Sequence, residues 1–233
     1  MSWRENAKKR AALEATKLLK EGFIVGLGSG STVTYAIKGI GETIQQKGLH
    51  LFGIPTSYQS LMLAVENGIP ITTLNEHPQL DLAIDGADQI DKKLNLIKGM
   101  GGALMREKIV ASAANQFVIV ADETKLVERL GTNHPVPIEV FPFSLPTVNL
   151  KIQEIGGTPN LRVAKNKVGP TITDNGNFIV DVDFGVIEEP KKLNLQLKSI
   201  PGVIETGLFP EMADIIYIGK STTVQTLKKN DNK

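Results

Sequence analysis

Hydrophobic and polar positions alternate between two textures along the first half of the chain. Glu5 to Lys20 places Ala7, Ala11, Leu13, Leu18 and Leu19 at helical spacing. Phe23-Ile24-Val25-Gly26-Leu27 is a short, wholly apolar run that predicts a buried strand. The pattern repeats, with a helix over Ser31 to Gln46, a strand over Leu49 to Ile54, and a helix over Ser57 to Asn67. Strands are expected at Ile71 to Leu74 and Leu80 to Ile84, a helix at Ala103 to Asn115, and a strand at Phe117 to Ala121. Apolar strands that alternate with helices predict a parallel sheet covered on both faces.

The texture changes near Gly131. His134-Pro135-Val136-Pro137 reads as a linker or turn, because each proline resists a regular continuation. A strand (Ile138 to Phe141), a helix (Pro146 to Ile155) and a strand (Asn160 to Ala164) follow. Asp174-Asn175-Gly176-Asn177 between two β-like runs, Thr171 to Thr173 and Phe178 to Val180, predicts a hairpin. Pro190 to Ile200 reads as a helix and Val203 to Phe209 as a strand. These elements form an α+β unit of antiparallel character. Asp214 to Gly219 is again a buried-strand pattern, expected to rejoin the first sheet, and Lys228 to Lys233 a polar, frayed tail. The expected division is therefore residues 1–130 plus 208–233 as a large α/β domain and 131–207 as a small α+β domain.

Composition narrows the function. The 233 residues carry a formal charge of +1, with 41% apolar and 22% charged side chains. That balance gives no electrostatic footprint for nucleic acid. Cysteine is absent, which excludes disulfides and thiolate metal sites. No apolar run is long enough to span a bilayer, and Met1-Ser2-Trp3-Arg4-Glu5 does not read as a secretory signal, so a cytoplasmic protein is expected. The basic residues Arg4, Lys8, Lys9, Arg10 and Lys17 are interleaved with apolar positions and read as a solvated helix face.

Chemistry concentrates in a few segments. Gly26-Leu27-Gly28-Ser29-Gly30-Ser31-Thr32 joins a strand to a helix, where main-chain amides and hydroxyls suit a phosphate. The dinucleotide fingerprint fails because position 31 is Ser and no carboxylate ends the second strand; the nucleotide P-loop fails for want of a lysine. The bland alternative is a tight turn with a serine helix cap. Asp85-Gly86-Ala87-Asp88 ends an apolar run and suits either proton transfer or an Asx-type turn. A cation site with Asp91 as third ligand is the weaker alternative, since calcium-loop spacing is not met. Lys98, followed by Gly99, Met100, Gly101 and Gly102, is placed to reach an anion, the bland alternative being a surface lysine. Glu107 shares a helical stripe with Ala103, Val110 and Ala114; a carboxyl sheltered among small apolar residues suits a general base, and the bland alternative is a pair with Lys108 or Arg106 on a solvated face. Lys125 follows the strand and Ala121-Asp122-Glu123-Thr124.

Taken in order, these segments resemble the ribose-5-phosphate isomerase type A family. The likeness rests on the glycine loop at 26–32, Asp85 to Asp88, Lys98-Gly99, Gly101 to Leu104 with Arg106-Glu107-Lys108, and Ala121 to Lys125. It extends to Pro137 to Val140, Thr173 to Asn177 and Ile200 to Phe209. The resemblance implies an aldose–ketose isomerase of the non-oxidative pentose phosphate pathway that works without metal or other cofactor. It implies a Rossmann-like domain with a smaller ferredoxin-like domain, assembled as a homodimer or homotetramer. It places the catalytic base on Glu107 and substrate contacts on Ser29 to Thr32, Asp85 to Asp88, Lys98 to Gly101 and Lys125. Asp85, Asp88 and Lys98 are expected to share the chemistry. Two positions depart from the family's usual residues, Met100 for Gly and Gln89 for Glu. The rival readings are a non-catalytic sugar-phosphate sensor and a coenzyme A transferase-like enzyme on the same fold.

Overall fold

A computed structural model of the chain describes residues 2–166 and 168–229. In chain order the elements are α1 (Trp3–Thr16), β1 (Ile24–Leu27), α2 (Val33–Lys47), β2 (Phe52–Pro55), α3 (Tyr58–Glu66), β3 (Leu82–Asp85), β4 (Gln89–Ile90), β5 (Leu96–Ile97) and α4 (Leu104–Ala113). They continue with β6 (Phe117–Asp122), β7 (Val136–Val140), α5 (Leu145–Glu154), β8 (Thr158–Leu161), β9 (Phe178–Asp183), α6 (Pro190–Lys198), β10 (Val203–Thr206), β11 (Leu208–Phe209), β12 (Ile215–Gly219) and β13 (Val224–Lys228). By packing, the chain divides into two units: Met1–Ala87, Arg106–Lys125 and Met212–Lys233 form one, and Asp88–Met105 with Leu126–Glu211 form the other. The second unit thus takes in Asp88–Met105, 126–130 and 208–211 besides the span 131–207 expected.

The first unit is built on a six-stranded sheet in the order β13-β12-β6-β3-β1-β2. Its strands are parallel except for β13, which pairs antiparallel with β12 at the edge. The expected return of the tail to this sheet is met by β12 lying parallel to β6. Lys228 ends β13, so it is strand and not frayed tail; residues 230–233 lie outside the described residues. Alternation along β1 covers both faces of the sheet. Val25 and Leu27 join the core formed with α1, α2 and α3. Gly26 points the other way, where a Cβ would stand 2.4 Å from Val110 of α4. Close packing also explains the alanine-rich α1: Ala7, Ala11, Ala12 and Ala15 are fully buried, and a Cβ on Gly219 of β12 would meet the Ala7 carbonyl at 1.9 Å.

The strand expected at Ile71 to Leu74 does not form. Ile71 makes one isolated bridge to Gly53, then Thr72 donates to Glu76 at 2.7 Å and the chain turns through residues 73–77.

The second unit contains β7-α5-β8-β9-α6-β10, a split β-α-β pair whose antiparallel sheet runs β10-β7-β9-β8. That is the ferredoxin-like arrangement. A smaller sheet, β11-β5-β4, belongs to the same unit. The proline run is no linker: Pro137 lies within β7, paired with Asp181 of β9, and its carbonyl accepts from Gly207. It sits near the strand's start, where a missing N–H is tolerated. The Asn-Gly turn forms as expected, with Ile172 bridging Phe178 around Gly176 at φ +81°. The single strand expected over Val203 to Phe209 is two strands in two sheets. Between them, Gly207 lies so close to the Lys98 carbonyl that a Cβ would approach it to 2.2 Å.

Candidate active site

In the first unit the strand order reverses at β1, since β2 is added on one side and β3 on the other. Ligands of open parallel sheets bind outside the carboxyl ends at such a point. Here that edge carries the 28–32 loop after β1, Thr56 and Ser57 after β2, Asp85 ending β3, and Asp122 ending β6 with Glu123 to Lys125 after it.

Asp85 is 2% exposed. Its Oδ1 accepts from the Gly86 amide at 2.7 Å and the Ser29 amide at 3.2 Å. The chain passes so closely that a Cβ on Gly28 would stand 2.2 Å from this carboxylate, so only glycine fits there. Asp85 therefore braces the chain at Gly86 and ties β3 to the glycine loop.

The loop's residues are used differently from one another. Ser29 Oγ donates to Ser57 Oγ at 2.5 Å and lies 2.9 Å from Thr56 Oγ1, so its hydroxyl is spent inside the protein. Ser57 also caps α3 through a reciprocal box with Ser60. The Gly30 amide donates to the exposed Gln59 side chain at 3.0 Å. Ser31 accepts from Lys8 Nζ at 3.2 Å. Thr32 stands at the start of α2 without a side-chain cap bond, so the serine-cap alternative is not what forms. Two early amides of α2 are spent in the turn, Thr34 on the Gly30 carbonyl and Tyr35 on the Thr32 carbonyl, both at 3.1 Å, so an anion would meet the amides just ahead of them.

Glu107 is 4% exposed, in the first turn of α4. Val110 on the same face packs over Gly26, and the helix's far end pairs with Leu80 just ahead of β3. α4 consequently runs against the strands, which puts Glu107 towards their carboxyl ends, the edge that holds Asp85. Lys125 is half-buried in a short 3-10 turn, Glu123–Lys125, after β6.

In the second unit, Lys98 is 2% exposed and its ammonium lies 5.4 Å from the Phe209 ring centre, a cation–π contact. Its amide donates to Gly207 at 2.9 Å. Gly99 has φ +106°, and the Gly102 amide closes the turn onto its carbonyl at 3.0 Å. Asp88 accepts from the Met100 amide at 3.0 Å while its own amide donates to Ile97 at 2.8 Å. Met100 and Gly101 are exposed. Asp91 is no cation ligand: its carboxylate accepts from Lys93 and twice from Asn95, at 2.8 to 2.9 Å, to close its own turn. Among the described residues, no group of three or more His, Asp or Glu is placed to hold a metal. Gly86 and Ala87 are the half-buried residues through which the chain leaves the first unit.

Two contributions escaped the sequence reading. Lys8 is not a solvated residue: its side chain is 13% exposed and bonds Glu5 at 2.9 Å as well as Ser31. The signal was present, since Lys8 shares a helical stripe with the buried Ala12 and Ala15. Arg162, beyond β8, gave no such signal; it holds the Gly99 and Met100 carbonyls.

Comparison with known proteins settles the family. Residues 52–223 match the family model of ribose 5-phosphate isomerase A (phosphoriboisomerase A). The chain belongs to this family. A ribose-5-phosphate isomerase A of Methanosarcina acetivorans is 55% identical, over 91% of this chain and 89% of the relative. One from Methanothermobacter thermautotrophicus is 48% identical, over 96% of this chain and 98% of the relative. Among solved structures, ribose 5-phosphate isomerase A of Methanocaldococcus jannaschii superposes with TM-score 0.93 at 44% identity, covering 97% of this chain and 99% of that one. A D-ribose-5-phosphate isomerase in complex with phospho-erythronic acid superposes with TM-score 0.95, also at 44% identity, covering 98% of this chain and all of that one.

Proposed function

We infer that this chain is an aldose–ketose isomerase that interconverts D-ribose 5-phosphate and D-ribulose 5-phosphate. The observation that carries the reading is Glu107, a buried carboxylate in the first turn of α4, in a chain of this family.

The chemistry requires one proton to move between C2 and C1 and another between O1 and O2. Glu107 removes the C2 proton, leaving an enediolate, and returns it to C1. Lys98 and nearby amides meet the oxyanion charge as it forms, and Lys125 adds positive charge. Asp85 or Asp88 handles the hydroxyl protons. In ring opening, O1 loses its proton, the C1–O4 bond breaks and O4 is protonated. The amides of Gly30 to Thr32 and the hydroxyls of Ser31 and Thr32, with Lys8, hold the phosphate, while Ser29 braces the loop from beneath; Gln59 gives up the Gly30 amide to it. The solved relative's ligand is consistent with this scheme. Phospho-erythronic acid is a phosphorylated four-carbon acid whose planar carboxylate imitates the two enediolate oxygens.

This assigns the chain to the non-oxidative branch of the pentose phosphate pathway, acting in the cytoplasm as a homodimer or homotetramer. No described helix is long and apolar enough to cross a membrane. Exposed Phe141, Phe143 and Leu150 offer apolar area for self-association. The sensor reading has no use for buried Glu107 and Lys98, and no feature of the chain favours the coenzyme A transferase reading. The test is conversion of ribose 5-phosphate in the presence of a chelator, with solvent-proton exchange at C2. Wild-type protein is expected to do both. Glu107→Gln is expected to lose at least about a hundredfold in kcat while still binding substrate. Near-normal turnover in that variant removes Glu107 from the mechanism.

A further inference from the structure

We propose that Arg162, locked by Asp181, is a positioning residue that fixes the Lys98–Gly101 backbone for catalysis. This rests on the reading above, in which that loop meets the developing oxyanion.

A continuous set of contacts links Asp181, Arg162 and that backbone. Arg162 Nη1 donates to the Gly99 carbonyl at 3.1 Å and to the Met100 carbonyl at 2.9 Å. The other edge of the guanidinium forks onto Asp181, Nε to Oδ2 at 2.7 Å and Nη2 to Oδ1 at 2.5 Å. Asp181 is anchored in β9 opposite Pro137, and a Cβ on Gly99 would stand 3.2 Å from Pro137. The peptide joining residues 99 and 100 is gripped at both ends, its carbonyl by Arg162 and its amide by Asp88 at 3.0 Å. The next peptide is held by its carbonyl, which sets the direction of the Gly101 amide. A donor aimed at a developing charge is effective only if it is already in place.

Two features separate this role from substrate binding. The ion pair is mostly buried, at 14% and 20% side-chain exposure, and Asp181 neutralises the guanidinium. A cation so paired adds little attraction for a phosphate. The fork also needs a planar, multi-donor group, which lysine lacks. The position matters more here because residue 100 is Met: its exposed side chain lies against the same guanidinium, Sδ to Nη2 at 3.7 Å.

The test uses the full-length protein and ribose 5-phosphate with hydrogen or deuterium at C2. Arg162→Lys is expected to lower kcat by about tenfold to a hundredfold, the scale of a small misplacement at a reacting centre, with KM within about twofold. The deuterium effect on kcat rises, because proton transfer becomes more limiting. Asp181→Asn moves both in the same direction, and the double variant is little worse than Arg162→Lys alone, as coupled residues require. Lys98→Met is the control for the site itself. If it is impaired while Arg162→Lys keeps kcat within twofold and an unchanged isotope effect, the positioning role is overturned. A raised KM at constant kcat overturns it too, in favour of direct anion binding. Wild-type turnover by Lys98→Met brings down the site reading and this proposal together. Arg162→Ala extends the series; should it not fold, the two conservative variants decide.

Discussion

Two glycine-rich turns, 28–32 in the first unit and 98–102 in the second, look alike in sequence and are built on opposite plans. The first has one charged tie, Asp85 on the Ser29 amide, and is otherwise held by neutral groups: Ser29 to Thr56 and Ser57, the Gly30 amide to Gln59. Its one cation, Lys8, reaches it from α1. The start of α2 is left uncapped. The second turn is tied down by charge, with Asp88 on an amide and Arg162 on two carbonyls. Under the function proposed above, the difference matches what each turn would hold. A phosphate arrives as a formed anion and needs open donors. An enediolate oxygen exists only for an instant, so the donors that meet it gain from being rigid.

The glycines test that contrast most severely. A Cβ on Gly28 would stand 2.2 Å from the Asp85 carboxylate. Gly28→Ala therefore drives Asp85 off the Ser29 and Gly86 amides. We expect kcat/KM to fall by about a hundredfold or more, the loss that misplacement of a reacting group brings, and stability to fall by about 1–3 kcal/mol from overpacking. Steady-state kinetics with a urea titration measures both. Full activity in a destabilised variant would reduce Asp85 to a turn residue. Gly99→Ala comes next. Its φ of +106° and the approach of Leu104 to 2.7 Å predict a stability loss of about 1–3 kcal/mol. The lost activity appears in kcat rather than KM, whereas damage to the first turn appears in both.

The architecture was more legible than the groups that tune it. Wholly apolar runs such as Phe117 to Ala121 report a buried parallel strand directly, because both faces of such a strand are covered. The break at Gly207 was illegible, since strand-forming residues stand on both sides of it and the cause is a carbonyl more than a hundred residues away, that of Lys98. Val136 and Pro137 misled in the other direction: local chemistry said turn, but β9 and Gly207 supply partners that place the proline in β7. Candidate site residues stood out where glycines and carboxylates cluster. Lys8 and Arg162 did not, because each acts on a segment far away in sequence. For Lys8 the buried alanine stripe was a usable clue. For Arg162 the partner, Asp181, lies on a different strand, and nothing local marks the pair.

The mildest expected effect concerns the cation that only the first turn borrows. The Glu5 carboxylate accepts from Lys8 at 2.9 Å and from the Tyr35 hydroxyl at 2.7 Å. These bonds, Lys8's first, hold its pKa below the usual 4.5, and the same contact pushes the Tyr35 phenol up. A carboxyl depressed on folding stabilises the protein above its unfolded pKa, and that contribution is lost as pH falls through the folded value. Wild-type protein should therefore melt slightly higher than Glu5→Gln at pH 7, with the gap closing at pH values below 4.5. Tyr35 acts in the opposite direction: its contribution is complete below pH 10 and is lost on further rise. Partly exposed ion pairs of this kind contribute little. Thermal melts of both proteins across the acid range read the gap, and KM for ribose 5-phosphate at pH 7 reads whether Lys8 keeps its place at Ser31. A gap that persists in acid would mean that Glu5 stabilises α1 by packing rather than by charge, and Lys8 would then owe its position to the alanine stripe alone.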